Sequence, residues 1–214
     1  VVALLPGADP ERRDETVVVG AHYDHLGWGG EGSLAPDVRA VHNGADDNAS
    51  GTAALLEVAR ALTAGPPPAR SVLFIAFSAE EKGLLGSAHY VEEPLRPLDG
   101  TVAMINMDMV GRLRDDIVTV YGIGTAREWE TTLEAANGAM DAPLELSLLP
   151  DGFGPSDHSS FYGAGIPVLH FFTNTHTEYH RPEDDWDTVD PEGMERVARL
   201  VSEVAGRLAG APDA

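Results

Sequence analysis

Acidic and imidazole side chains follow several apolar runs of this sequence, at positions where open α/β sheets usually carry their chemistry. The residues are His22 and Asp24 in "GAHYD", Asp46 and Asp47 in "GADDN", Glu80 and Glu81 in "SAEEK", Asp108 in "NMDM", and His176 and His180 in "HTEYHRP". Imidazoles and carboxylates bind Zn²⁺, Mn²⁺ and Co²⁺, and the chain contains no cysteine to compete with them. The pattern therefore indicates a metal site that could activate water for hydrolysis.

The adjacent pair Glu80 and Glu81 raises a problem of charge. If the strand ends converge, at least four carboxylates share a small space, and buried anions repel one another unless positive charge is present. Lys82 is the only lysine in the chain. Two divalent ions would balance three ligating carboxylates and a shared hydroxide. Because adjacent residues at a strand end point in different directions, one glutamate can bind metal while the other serves as a base.

Composition narrows the classes of protein to consider. The chain has 43% hydrophobic residues and a formal net charge of −21, which predicts a globular fold and argues against nucleic acid and anionic membranes as partners. No apolar stretch approaches the ~20 residues of a membrane span, so we expect no membrane insertion. The absence of cysteine excludes disulfides and thiolate metal sites. The sequence begins without Met or a signal-like segment, and we expect a processed or trimmed N-terminus.

The elements that would position these side chains alternate between strands and helices. Strand-like runs rich in Val, Ile, Leu and Phe are "VVALLP", "ETVVVGAH", "SVLFIAF", "TVAMINMDM", "DIVTVYGIG", "LELSLL" and "IPVLHFFT". Helical spacing occurs in "ASGTAALLEVARALTA", "AREWETTLEAANGAM" and "DPEGMERVARLVSEVAGRLAG". Continuous apolar strands are typical of sheets that are covered on both faces. We therefore predict a three-layer α/β sandwich.

Five segments, in this order, resemble peptidase family M28, the metallo-aminopeptidases with two co-catalytic zinc ions. They are "GAHYDHLG", "GADDNASG", "AFSAEEKGLLGS", "NMDMVG" and "EYHRPEDDWDT". Together they extend over most of the chain. The resemblance implies a mixed, mostly parallel central sheet flanked by helices, with residues 1–214 forming a single M28-like catalytic domain.

The resemblance also implies a set of metal ligands. His22 and Asp108 would hold the first ion, Glu81 and His180 would hold the second, and Asp47 would bridge the two. Asp46 is the alternative bridge. We prefer Asp47 because it directly precedes "NASG", where the bridging residue of the family lies.

Four further residues receive roles from the same resemblance. Glu80 would be the general base, and Tyr179 matches a tyrosine that hydrogen-bonds the tetrahedral intermediate in some members. Asp24 would orient His22, since metal-bound imidazoles usually need such a partner. Asp157, in the segment "SDH", would lie next to the metal ligands without binding metal.

The implied activity is removal of N-terminal amino acids from peptides by a metal-bridged water. Two Zn²⁺ ions would be the cofactors, which Mn²⁺ or Co²⁺ could replace, and carboxylates near the metals would recognise the free N-terminus of the peptide. The resemblance implies an extracytoplasmic location, secreted or periplasmic.

The same site could instead serve an N-acyl amino acid deacylase, a dipeptidase or a glutaminyl-cyclase-like enzyme. A binding module without catalysis is a third alternative, against which the complete ligand set and the presence of Glu80 argue.

The remaining polar residues receive structural interpretations. We predict His25 and His42 to be loop histidines and His176 to be a structural histidine. Ser156 is predicted to be a helix N-cap, because consecutive Ser, Asp and His cannot readily adopt the geometry of a catalytic triad. The segment "RPEDDWDT" is predicted to be a solvated acidic loop.

Overall fold

The computed structural model describes residues 1–210 and contains one central sheet of seven strands. The strands are β1 (Val2–Leu5), β2 (Thr16–His22), β3 (Ser71–Phe77), β4 (Thr101–Met107), β5 (Ile117–Tyr121), β6 (Glu145–Leu149) and β7 (Val168–Phe172). Each strand lies within one of the seven apolar runs of the sequence, which confirms those predictions. Residues 211–214 of the predicted domain lie outside the described residues.

The strand order is β1-β3-β2-β4-β7-β5-β6. The four central strands, β3, β2, β4 and β7, are parallel to one another, and β5 is parallel to β6. β1 pairs antiparallel with β3, and β5 pairs antiparallel with β7. The sheet is therefore mixed and mostly parallel, as predicted.

Five α-helices flank the sheet within the described residues. They are α1 (Gly51–Ala64), α2 (Leu85–Glu92), α3 (Trp129–Asn137), α4 (His158–Gly163) and α5 (Pro191–Gly210). The three predicted helices correspond to α1, α3 and α5. The sequence pattern missed α2 and α4, because helices of eight and six residues are too short to show a clear apolar period. Within residues 1–210, no helix combines the length and the hydropathy needed to cross a membrane.

Both faces of the sheet are covered, which explains why its strands are apolar without interruption. Val17 and Val19 of β2 pack into a core with side chains of α1, α3 and α5. Val18, between them, points to the opposite face, where Tyr90 of α2 and Phe161 of α4 complete a second cluster. The predicted three-layer architecture is thus confirmed.

The register of the parallel strands brings their polar ends to one edge of the sheet. β2 and β3 pair His22 with Phe77, and Glu80 follows Phe77 after two residues. β2 and β4 pair Gly20 with Asn106, so that His22 and Asp108 lie level two residues farther on. Ligand sites in open α/β sheets are usually found at this carboxyl edge.

Candidate metal centre

The imidazole of His22, at the end of β2, lies between two carboxylates. Its Nε2 atom is 3.3 Å from Asp47 Oδ1 and 3.3 Å from Asp108 Oδ1. Its Nδ1 atom donates a hydrogen bond of 3.1 Å to the main-chain carbonyl of Asp24. Because Nδ1 is engaged with a carbonyl, Nε2 is the nitrogen available to a metal, and it is directed towards the two carboxylates. The three side chains offer donor atoms that all lie within 4.8 Å of one another.

A second group forms around His180, in the loop after β7. Its Nε2 atom is 3.1 Å from Asp47 Oδ2 and 3.2 Å from Glu81 Oε2. Its Nδ1 atom donates a hydrogen bond of 2.8 Å to the carbonyl of Gly32, and its own carbonyl accepts one of 2.9 Å from the amide of Leu34. The long Gly-rich loop between β2 and α1 thus fixes the orientation of this imidazole.

Asp47 lies between the two groups and faces both. Its Oδ1 atom is directed to His22 and its Oδ2 atom to His180. Two oxygens that face different imidazoles are what a bridging carboxylate requires. The structure therefore brings together all five residues that the resemblance nominated as ligands.

Asp46 belongs to the framework of the site. Its Oδ1 atom accepts a hydrogen bond of 2.7 Å from the amide of Gly111, and its Oδ2 atom lies 3.2 Å from Nε2 of His176. His176 also contacts Glu178, so it has the structural role that was predicted. With its carboxylate directed away from His22 and His180, Asp46 is not placed to bridge them, and the geometry favours Asp47.

Asp184 holds the backbone of the Asp46–Asp47 segment. It is fully buried, and its carboxylate accepts hydrogen bonds of 3.1 Å from the amides of both Asp46 and Asp47. The prediction of a solvated acidic loop for "RPEDDWDT" is therefore wrong for this residue. The acid is retained in the interior because two buried N–H groups need an acceptor.

Asp24 connects β2 to the Glu80–Glu81 turn. Its carboxylate accepts hydrogen bonds from the amides of Glu80, at 3.1 Å, and Glu81, at 3.3 Å. The carboxylate is 3.7 Å from Nδ1 of His22, farther than the carbonyl of the same residue. Asp24 therefore orients His22 mainly through its main chain, and its side chain fixes the backbone of both glutamates.

The backbone at the site is locally strained. Ala79 precedes Glu80 with a φ of 58°, Met109 follows Asp108 with a φ of 52°, and His180 itself has a φ of 54°. Such left-handed conformations are uncommon for residues other than glycine and tend to cluster at functional sites.

A cavity of about 160 Å³ opens beside the donor groups. Its lining includes three of the candidate ligands, Asp47, Asp108 and His180, together with Glu80 and Tyr179. Tyr179 stacks on His180, with 3.8 Å between ring centroids, and burial raises its pKa well above the ordinary value. Its hydroxyl therefore remains a hydrogen-bond donor at neutral pH.

The electrostatics of the site call for added positive charge. Burial lowers the pKa of His180, but hydrogen bonds to Asp47 and Glu81 outweigh burial and raise that pKa to about 10. The pKa of His22 is likewise raised far above its ordinary value, because Asp108 overcomes the opposing effect of burial. Burial raises the pKa of Glu80 to about 9, although the charge of His22 opposes it. Without a metal, the carboxylates can be balanced only by protonating the imidazoles or the acids themselves.

The spacing of the donor atoms suits a metal such as zinc. Ligands at 2.0–2.2 Å around a tetrahedral ion are about 3.4 Å apart. The contacts of His22 and His180 with their carboxylates measure 3.1–3.3 Å, close to that separation. The residues present therefore fit a divalent ion among His22, Asp47 and Asp108. Around Asp47 and Glu81, the imidazole whose donor atom lies within 4.8 Å of both carboxylates is that of His25, and His180 contacts the same two carboxylates at 3.1 and 3.2 Å.

The segment "SDH" lies behind the site. Asp157 is fully buried and neither of its oxygens accepts a hydrogen bond of ordinary geometry within the described residues. Its charge contributes to the raised pKa of Glu80, in keeping with the predicted location beside the ligands.

The prediction that Ser156 is a helix N-cap is wrong. Its hydroxyl makes no cap at the start of α4 and instead accepts a hydrogen bond of 2.8 Å from the side-chain amide (Nδ2) of Asn106.

Both predicted loop histidines lie in the loop after β2, but they make different contacts. His42 is buried in the loop and contacts the hydroxyl of Ser33 at 2.8 Å, as expected of a loop histidine. His25 instead donates a hydrogen bond of 2.7 Å to Glu81 Oε1. The signal for His25 was its place in "HYDH", directly after a predicted ligand and its partner.

Comparisons with known proteins find aminopeptidases among those that this chain resembles. Aminopeptidase YwaD of Bacillus subtilis is 34% identical over 203 residues, which are 89% of this chain and 40% of that protein. A probable leucine aminopeptidase of Arthroderma otae is 31% identical over 97% of this chain and 57% of its own length. A solved zinc aminopeptidase from Bacillus subtilis superposes with a TM-score of 0.79 at 30% identity, covering 98% of this chain and 49% of that one. The chain thus spans about half the length of these relatives.

The family model described as "Peptidase family M28" matches residues 1–205, nearly the whole chain. The mixed, mostly parallel sheet between helices is as that resemblance implied. The chain belongs to peptidase family M28.

Proposed function

We propose that this chain is the catalytic part of a zinc-dependent aminopeptidase. The observation that carries the proposal is Asp47, whose two carboxylate oxygens face two separate imidazole and carboxylate groups. Relatives named as aminopeptidases and a solved relative described as a zinc aminopeptidase support the activity and the metal. The candidate ligands, all nitrogen and oxygen donors, are also suited to zinc.

The proposed centre holds two zinc ions. His22 and Asp108 would bind one ion, Glu81 and His180 the other, and Asp47 both. Two ions supply Lewis-acid polarisation of the scissile carbonyl and make a water more acidic.

Glu80 is the proposed general base. It lies at the cavity beside the ligands but is not part of either donor group. Its place directly before Glu81 keeps its carboxylate close to the reacting atoms, where it can take a proton from water and pass it to the leaving amine. Bound cations would counteract the burial that raises the pKa of Glu80 to about 9 in the metal-free site.

The cavity selects the substrate by charge and shape. The excess of carboxylates would attract the ammonium group of a free N-terminus, and an N-acetylated peptide lacks that group. Met109, Tyr121 and Phe172 form an apolar wall, so we expect an uncharged first side chain to be preferred. Tyr179, which lines the same cavity, would donate a hydrogen bond to the oxygen on which negative charge develops.

The alternatives receive less support. The relatives described above are named aminopeptidases, whereas a solved glutaminyl cyclase of Porphyromonas gingivalis shares the fold at 20% identity. A binding module would not require Glu80 to accompany a full set of candidate ligands.

The decisive experiment compares the wild type with Glu80→Ala on aminoacyl anilides. We expect the wild type to hydrolyse leucyl anilide but not its N-acetylated form. Glu80→Ala should reduce turnover by about 10²–10⁴-fold, the range typical of a general base, while elemental analysis still finds the wild-type zinc content. Equal loss of zinc and activity would show that Glu80 binds metal. Release of acetate from the N-acetylated substrate, without release of aniline from either substrate, would point to a deacylase.

A further inference from the structure

His25 contacts the proposed second zinc site although it is not one of its nominated ligands. Its Nδ1 atom donates a hydrogen bond of 2.7 Å to Glu81 Oε1, and its ring lies edge-on to that of His180, with centroids 5.7 Å apart. The side chain of His25 is only 7% exposed. A buried imidazole that is bonded to a candidate ligand can control how that ligand is presented.

The distances identify this contact as a hydrogen bond between a ligand and its support. Two donors on one tetrahedral zinc ion are about 3.4 Å apart, whereas His25 Nδ1 and Glu81 Oε1 are separated by 2.7 Å. Nδ1 is also 4.0 Å from Asp47 Oδ2. With Oε1 engaged by His25, the other oxygen of Glu81 remains directed towards His180 at 3.2 Å.

The surrounding loop is built to hold the imidazole of His25 in place. Gly44 has a φ of 62° and packs so closely on the ring that a Cβ atom there would lie 2.5 Å from Cγ of His25. His42, in the same loop, is farther off, with 6.5 Å between ring centroids, and is fixed by its own contacts with Ser33 and the carbonyl of Ala40, so the close packing on His25 comes from Gly44. The ring of His25 therefore has little freedom to turn away from Glu81.

We propose that His25 is a positioning residue, which fixes the carboxylate of Glu81 so that Oε2 serves the second zinc ion. The inference rests on the two-zinc function proposed above and adds to it a residue that touches neither ion. Removing a residue that hydrogen-bonds to a metal ligand typically lowers the affinity for the metal by 10–100-fold. The effect is expected at the second ion only, because His25 has no contact with His22 or Asp108 among the interactions of the described residues.

The test is zinc binding by the purified, metal-depleted chain, measured by competition with a chromophoric chelator. His25→Ala should weaken the second equivalent of zinc by 10–100-fold and leave the first within about threefold. His25→Asn, whose amide can donate from nearly the same position as Nδ1, should restore the second equivalent to within about threefold. His42→Ala is the matched control for disturbance of the loop and should leave both equivalents within threefold. Circular dichroism and thermal unfolding show whether each variant is folded.

Unchanged binding of both equivalents by His25→Ala would overturn the proposal. So would weak binding in His25→Asn equal to that in His25→Ala, because it would identify the imidazole itself as a ligand. An equal effect of His42→Ala would assign the loss to the loop. If wild-type protein binds only one equivalent, the second ion and this inference fail together. If it binds two but does not release N-terminal amino acids, the proposed function fails while the role of His25 stands.

Discussion

Two concave regions of this protein contrast in size and in chemistry. The groove between α1 and α5 has a volume of about 920 Å³, whereas the cavity at the metal centre has about 160 Å³. In the groove, Arg60 pairs with Glu57 and Arg199 pairs with Glu195, and these side chains are largely exposed. At the metal centre, the acids are nearly buried and their partners are imidazoles. Cavity volume alone would therefore identify the wrong region as the functional site.

The contrast shows where the acidic charge of the chain has a function. Exposed pairs of Arg and Glu are screened by water and contribute little to stability. Buried carboxylates with no arginine or lysine among their described partners repel one another, and they need a cation to be stable. We therefore expect that the acids of the groove can be replaced without loss of zinc binding or activity, and that those of the metal centre cannot.

The largest expected effect comes from Asp47→Ala. Because Asp47 faces both donor groups, its removal should abolish binding of both zinc equivalents, and hydrolysis should be lost with them. Elemental analysis and turnover of leucyl anilide measure the two losses. Retention of two ions would show that Asp46 is the bridge, and the contrast with the groove would then need another basis.

An intermediate effect is expected from Asp157→Asn. Burial raises the pKa of Asp157 to about 7 from 3.8, so between these pH values the folded protein holds a proton that the unfolded chain has released. The wild type therefore loses stability as pH rises from about 4 to 7, and Asn, which cannot ionise, removes this loss. The measured quantity is the free energy of unfolding of the variant minus that of the wild type. We expect this difference to be about 2–4 kcal/mol larger at pH 8 than at pH 4.

Urea unfolding of zinc-depleted protein at the two pH values measures this difference. If the difference in the free energy of unfolding is the same at both pH values, Asp157 is ionised in the folded protein even at pH 4. The buried acids behind the metal centre would then resemble the solvated acids of the groove.

The smallest effect is expected in the groove. Arg199→Ala removes an exposed pair with Glu195, so we expect the free energy of unfolding to change by at most about 0.5 kcal/mol. Zinc content and turnover should equal those of the wild type. A loss of activity here would show that the groove communicates with the metal centre, and the two regions could no longer be treated as independent.

The predictions from sequence succeeded where the pattern was long or the segment distinctive. All seven strands and the helices α1, α3 and α5 were found, because buried parallel strands are apolar throughout and long helices show their period. α2 and α4 were missed because they are short. Asp184 was misread because an acid in an acidic loop looks solvated until the two amides that it serves are seen.

The sequence by itself determined the fold class and the donors available to a metal, since apolar periodicity and residue type are local properties of the chain. Only the tertiary structure decided which acids meet. The register of β2, β3 and β4 and the return of the loop after β7 place Asp47 between two imidazoles and leave Asp46 in the framework. The contact of His25 with Glu81 joins residues 56 positions apart. Such pairings depend on the packing of the whole sheet, which no single segment of the sequence encodes.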